Sequence, residues 1–98
     1  MTDKDDNDLY WDLVDEFIER ANSRCETADP GMVSAALLQA AARFNAFVVA
    51  SSSVDRSEFT EEIEPSLRYL TNQYRDFLKE HLEDYRENYK VYMRTEES

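Results

Sequence analysis

The sequence predicts an all-α protein: three helices in an antiparallel arrangement, the C-terminal one long and dimerising. One glycine and two prolines among 98 residues leave few places for the tight turns that β-proteins need. Apolar residues recur every third or fourth position, which is the period of an α-helix. The length and the 42% hydrophobic content suit one domain, residues 1–98, with a core that needs no disulfide.

The first helix is predicted over residues 8–27, behind a flexible end at residues 1–7. Its polar residues occupy the face opposite a single apolar stripe, and two stripe positions are adjacent, which rules out strand alternation. Asp6, Asn7 or Asp8 is expected to cap it. The stripe consists of Tyr10, Val14, Phe17, Ile18, Ala21 and Cys25.

The second helix is predicted over residues 32–51, after a turn at residues 27–31 that holds a proline followed by the glycine. It is apolar nearly all round, so we expect other helices to cover it on more than one side. A membrane span is disfavoured because Arg43 and Asn45 lie near its middle, where each would cost a few kcal/mol in hydrocarbon.

The third helix is predicted over residues 65–93, with a helical lead-in at residues 57–64 and a flexible end at residues 95–98. Proline is tolerated in the first turn of a helix and costly in its interior. We therefore expect a break or kink near Glu64, ahead of Pro65.

The start of the lead-in carries a capping pattern. Asp55 or Ser57 is the expected cap, and Glu58 stands three residues after Asp55, as in a loose capping box.

The length of the third helix predicts self-association. A helix over residues 65–93 spans about 42 Å, whereas a compact domain of this size is about 30 Å across. A symmetric dimer would cover the excess, with the long helices of two copies packed together. The candidate interface is the aromatic and leucine face formed by Tyr74, Phe77, Leu78, Leu82, Tyr85, Tyr89 and Tyr92; packing within the core is the alternative role for these residues.

Polar residues inside apolar stretches are candidates for buried groups. Arg43 and Asn45 in the second helix and His81 in the third are expected to be buried with polar partners. For Arg43 we expect an ion pair with an acid of another helix, such as Glu16 or Asp76. The alternative is that Arg43, Asn45 and His81 surround a small-ligand or enzymatic site.

The residues give no sign of metal, cofactor or catalytic chemistry. The single histidine, His81, has leucine three positions earlier, so the Glu-x-x-His pairs of di-metal bundles are absent from the sequence. Cys25 is the only cysteine, and the only glycine, Gly31, cannot form a phosphate-binding loop. We therefore predict no catalytic residue, no metal and no cofactor.

The charge excludes some partners. With 22 acidic and 11 basic residues the net charge is -11, which opposes binding to nucleic acid. The acidic start differs from a secretory signal, and a lone cysteine suits a reducing compartment, so a cytoplasmic location is expected. The charge is also compatible with a further function, in which the protein mimics nucleic acid and binds a basic protein.

Three segments carry a family resemblance: Val33 to Phe47, with the run VSAALLQAAARFNAF, Trp11 to Ile18, and Asn72 to Leu78. They resemble a family of small uncharacterised bacterial proteins, domain of unknown function 3144. The resemblance covers most of residues 9–90 and implies a bacterial, cytosolic, helical protein without adding an activity or a site residue.

The function expected from these observations is self-association or binding of another protein. We expect a homodimer that does not act as an enzyme. A second protein is the other expected partner. We expect the protein to bind neither nucleic acid nor a membrane.

Overall fold

A computed structural model describes residues 5–89 as three α-helices: α1 (Asp6–Arg24), α2 (Pro30–Ser51) and α3 (Arg56–Glu87). The all-α class predicted from the sequence is thereby confirmed. The antiparallel arrangement and the dimer stay predictions.

Helix α1 starts two residues before the predicted boundary. Asp5 is the N-cap: its Oδ1 accepts the amide hydrogen of Asp8 at 2.8 Å. The expectation of a cap at Asp6, Asn7 or Asp8 was therefore wrong by at least one position. Asp6 and Asp8 instead lie in the first turn, where the positive end of the helix favours acids. Residues 6 and 7, predicted as part of a flexible end, are helical.

Helix α1 also ends earlier than predicted, at Arg24. The amide of Cys25 is within 3.1 Å of both the Ala21 and the Asn22 carbonyl oxygens, and the amides of Glu26 and Thr27 donate to carbonyl oxygens three residues earlier. Tighter turns of this kind satisfy the carbonyl groups that a helix end leaves without partners. The segment up to residue 27 is thus turn rather than helix.

Helix α2 begins at Pro30 rather than at residue 32, so the predicted turn at 27–31 is partly helix. Asp29 Oδ2 accepts the amide hydrogen of Met32 at 3.2 Å, and the Asp29 carbonyl accepts that of Val33 at 3.0 Å. Proline suits the first position of a helix because its fixed φ matches and its missing N–H would have no partner there. Gly31 follows in the same turn, where a Cβ would stand 2.9 Å from Asp29 Oδ2.

Helix α3 begins at a cap that the sequence indicated. Asp55 has extended backbone angles, and its Oδ1 accepts the amide hydrogen of Glu58 at 2.9 Å. Glu58 Oε2 in turn accepts the amide hydrogen of Val54 at 3.3 Å. The loose capping box is confirmed, with the glutamate reaching one residue further back than the motif prescribes.

The predicted break near Glu64 does not occur. Pro65 lies inside α3, which runs for 32 residues, so the lead-in and the third helix are one element. The proline costs about 3 kcal/mol, but that cost is local: one hydrogen bond, to the carbonyl of Glu61, is lost. The ten residues of α3 before Ser66 have their own N-cap, and the helix continues on both sides of the missing hydrogen bond.

Helix α3 ends at Glu87 with Asn88 as C-cap. The Asn88 side-chain amide donates to the carbonyl oxygen of Asp84 at 3.2 Å and to its Oδ1 at 3.0 Å. The predicted helix over residues 90–93 and the predicted flexible end at 95–98 lie outside the described residues.

The contacts divide the chain into two compact units, Met1–Val48 and Val49–Ser98. The first contains α1 and most of α2, and the second contains the last turn of α2 and all of α3. The one-domain organisation stays a prediction.

No residue between 5 and 89 is buried. The sequence predicted that α2 is covered on more than one side, but within the chain only Val33 and Val49 of α2 are even half-buried. The expected core is therefore not formed by a single copy: 22 large apolar side chains of the described residues are exposed.

Candidate association surfaces

The predicted interface on α3 is exposed along its described length. Residues three or four positions apart share one side of a helix, and spacings of this kind connect Tyr74, Phe77, Leu78, Leu82, Tyr85 and Tyr89. Tyr74 is 50% exposed and Leu82 is 60% exposed. Tyr92 lies outside the described residues. We call this set the α3 apolar face.

One edge of the α3 apolar face is basic. Tyr74, Leu78 and Leu82 line a shallow, open concavity together with the cationic side chains of Arg75, Lys79 and Arg86. The arrangement combines an apolar floor with three positive charges and one negative charge, that of Glu83, in a chain of net charge -11. The alignment of these cations along a single edge was not predicted from the sequence.

The opposite flank of α3 is partly covered. The half-buried residues of α3 follow one another at helical spacing, and they lie on the side away from the basic edge. This flank is therefore less accessible to solvent than the basic edge. These half-buried residues are Phe59, Ser66, Leu70 and Gln73.

Helix α2 carries a second apolar surface that the sequence assigned to a core. Phe44 and Phe47 lie three residues apart on the same side, with ring centroids 6.1 Å apart. Phe44 is 65% exposed and Phe47 is 63% exposed. Two neighbouring rings at this exposure are a typical anchor of a helix-helix contact. Their spacing was visible in the sequence, but only the structure shows that one copy leaves them uncovered.

Helix α1 adds a third surface. Tyr10 and Trp11 meet edge to face, with ring centroids 5.1 Å apart, and both are about half exposed. Phe17 and Ile18 are exposed about two turns further along the helix, whereas Val14 and Ala21 are half-buried. Only part of the predicted stripe is covered within the chain.

The three candidate buried polar residues are not buried. Arg43, Asn45 and His81 are all exposed, because the apolar side chains around them are uncovered as well. Arg43 and Asn45 are two positions apart on α2, and side chains at that spacing point in different directions. Their burial with polar partners therefore stays a prediction. Among the described residues no ion pair joins Arg43 to Glu16 or Asp76.

Within residues 5–89 no three His, Cys, Asp or Glu side chains are grouped so that they could hold a metal ion. Cys25, the predicted small apolar residue of α1, is a free and exposed thiol at the helix end.

By length and composition, α2 could cross a membrane: its best window has a mean hydropathy of 1.5, and none of that window is buried. This is weak evidence, since a core helix of a soluble protein or a signal sequence meets the same criterion.

Comparison with known proteins gives one result. The model of a family described as "Protein of unknown function (DUF3144)" matches residues 10–86, which include the three apolar surfaces up to Tyr85. No match was found among curated proteins or among solved structures.

Proposed function

We propose that this chain, which belongs to the DUF3144 family, is a self-associating helical protein whose core forms only between copies. The observation that carries the proposal is the absence of any buried residue between positions 5 and 89. Burial of apolar surface is the main favourable term in folding, and ordering the backbone costs roughly 1–2 kcal/mol per residue. A single copy without a core has little to offset that cost.

The distribution of apolar side chains supports a second copy as the cover. Exposed rings occur on all three helices, with Trp11 on α1, Phe44 on α2 and Tyr74 on α3. One small ligand cannot shield side chains on that many elements. A second copy can, and the smallest closed assembly of identical chains is a two-fold dimer.

The length of α3 supports the same conclusion. Its 32 residues span about 48 Å, more than the roughly 30 Å diameter of a compact domain of this size. The apolar face of such a helix is longer than α1, with 19 residues, or α2, with 22 residues.

The proposal is tested by measuring the mass of the full chain by sedimentation equilibrium at micromolar concentrations. We expect at least twice the 11.5 kDa of one chain. Phe47→Asp, which places a charge on the α2 surface, is expected to shift the mass toward one copy. Gln39→Asp adds the same charge at a position of α2 that is already polar, and it should leave the mass unchanged. A wild-type mass of one chain throughout this range would overturn the proposal.

The same proposal assigns α2 to a bundle of helices in the cytoplasm and not to a membrane. Arg43 and Asn45 near its middle support this assignment, since each would cost a few kcal/mol in hydrocarbon. In flotation with phospholipid vesicles we expect the protein to stay in the dense fraction. Co-flotation with neutral vesicles would contradict the assignment of α2 to a bundle.

A further inference from the structure

The basic residues of α3 form a single row. Apart from Arg56 at the helix start, the cations of α3 are Arg68, Arg75, Lys79 and Arg86, with spacings of seven, four and seven. A residue advances about 100° around the helix, so these four side chains lie within about 40° of one another. We call them the basic row. It borders the exposed apolar edge of Leu78 and Leu82.

The acidic residues of α1 include a row with the same spacing. Asp8, Asp15 and Glu19 are seven and four residues apart, and Glu26, in the turn after α1, is another seven residues away. The three helical members lie within about 40° around α1. We call the four residues the acidic row.

The acidic row also borders apolar side chains. Trp11 and Ile18 lie next to it around α1, and both are exposed. They correspond to Thr71 and Leu78 beside the basic row, because a shift of sixty residues superimposes the two rows. The two edges therefore match in spacing and in the place of one apolar neighbour, Ile18 on α1 and Leu78 on α3, and they are opposite in charge.

We propose that α1 of a second copy docks along the basic edge of α3, pairing the acidic row with the basic row. This inference rests on the proposed self-association and specifies which surfaces of the two copies are in contact. The spacing of seven, four and seven reads the same in both directions, so the match holds for parallel and for antiparallel helices. In a two-fold dimer the contact occurs twice.

The cations of the basic row are available for such a contact. Arg68 and Arg75 make no ion pair with any of residues 5–89. Lys79 pairs with Glu83 at 3.9 Å and Arg86 with Glu87 at 3.3 Å, but these are exposed neighbours on one helix. Ion pairs at that exposure contribute little, so they can be exchanged when a partner arrives.

The side chains along both edges are accessible to a second copy. Asp15, Glu19, Trp11 and Ile18 are exposed on α1, and Arg75 is exposed on α3. Opposite charges flanking apolar side chains also fix the register between helices, as they do at the edges of coiled coils.

The test is a charge exchange on the full chain. One variant carries Arg75→Glu and Lys79→Glu, and the other carries Asp15→Lys and Glu19→Lys, each pair four residues apart. Like charges then face each other in either homodimer, and we expect the dimer Kd of each variant to rise at least about 100-fold. A third variant, Asp76→Lys with Glu80→Lys, makes the same change in net charge as the α1 variant, but on the acidic side of α3, and should still dimerise.

Mixing the two variants is the decisive measurement. In a heterodimer both contacts again join opposite charges, so native mass spectrometry should show mixed dimers as the main species. The Asp15→Lys and Glu19→Lys variant carries less net negative charge than the wild type, so general repulsion cannot explain its dissociation. Circular dichroism of each variant confirms that the helices are retained.

Three results would overturn the inference. If the α1 variant dimerises as well as the wild type, the basic edge contacts something other than α1. If the mixture stays monomeric while a chain carrying all four exchanges dimerises, the rows pair within one copy. If the wild type itself is monomeric, the proposed function fails together with this contact, whereas the first two results leave self-association standing.

Discussion

Asp55 and Glu58 together cap the N-terminus of α3, because the side chain of each accepts a backbone amide hydrogen. The amide of Glu58 donates to Asp55 Oδ1 at 2.9 Å, and the Glu58 carboxylate accepts the amide hydrogen of Val54, the residue before Asp55, at 3.3 Å. Two amide groups that the helix start would otherwise leave without partners are satisfied in this way. The pair thereby fixes where the longest helix of the protein begins.

We expect Asp55→Ala to lower the free energy of unfolding by about 1 kcal/mol, because the first turn loses its acceptor. Asp55→Asn keeps a side-chain oxygen and should cost less. Urea unfolding at one fixed protein concentration, followed by circular dichroism, measures both. An equal loss in the two variants would show that the charge of Asp55, and not its hydrogen bond, stabilises the helix.

Gly31→Ala should bring little or no stabilisation, although alanine is favoured over glycine in helices by about 1 kcal/mol. The new Cβ would lie 2.9 Å from Asp29 Oδ2, the atom that accepts the amide hydrogen of Met32. The carboxylate has to move and the cap weakens. In an Asp29→Ala background the crowding is gone, so Gly31→Ala should then stabilise by up to about 1 kcal/mol. An identical effect in the two backgrounds would contradict this coupling.

Pro65→Ala should raise the free energy of unfolding by up to about 3 kcal/mol. The substitution restores the N–H group that can donate to the carbonyl of Glu61 inside a continuous helix. Ser66→Ala, one residue later, is the control, with a gain of about half a kcal/mol from helix propensity alone. A loss of stability on Pro65→Ala would mean that the shape the proline imposes on α3 is needed for association.

The thermal midpoint should rise with protein concentration. If folding and association are coupled, mass action stabilises the assembly as the chain concentration grows. Differential scanning calorimetry over a hundredfold range of concentration measures the shift, and the Phe47→Asp variant should lose it. A midpoint that is independent of concentration would indicate that one copy folds by itself.

The sequence predicted the helical elements well because their signals are local. The stripe through Tyr10 and Phe17, the pairing of Asp55 with Glu58 and the absence of glycine after Gly31 depend only on residues within a few turns of one another. Local hydrogen bonds decide where such helices form, so the sequence alone is enough to predict these helices.

The boundaries and the burial were harder to predict. Several acids precede α1, and which of them caps it depends on backbone angles that composition does not reveal; Asp5 proved to be the cap. Pro65 was expected to stop a helix, but the cost of one lost bond is small beside a helix of 32 residues.

The covering of the apolar surfaces could not be predicted for a different reason. The alanines and phenylalanines of α2 indicate that apolar surface has to be covered, and they do not indicate which molecule covers it. Arg43 and Asn45 were assigned to an interior on that basis, yet a single copy builds no interior around them. The candidate face on α3 was found from its spacing, whereas the basic row beside it was overlooked because each cation also has an acidic neighbour.

The uncovered rings of Phe44 and Phe47 also bear on the life of a newly made chain. If copies associate as proposed, a chain that has not yet bound a second copy exposes to solvent the kind of surface that chaperones and proteases recognise. We expect its survival to depend on how fast copies find each other, so that synthesis below a threshold rate yields degradation instead of a smaller amount of folded protein.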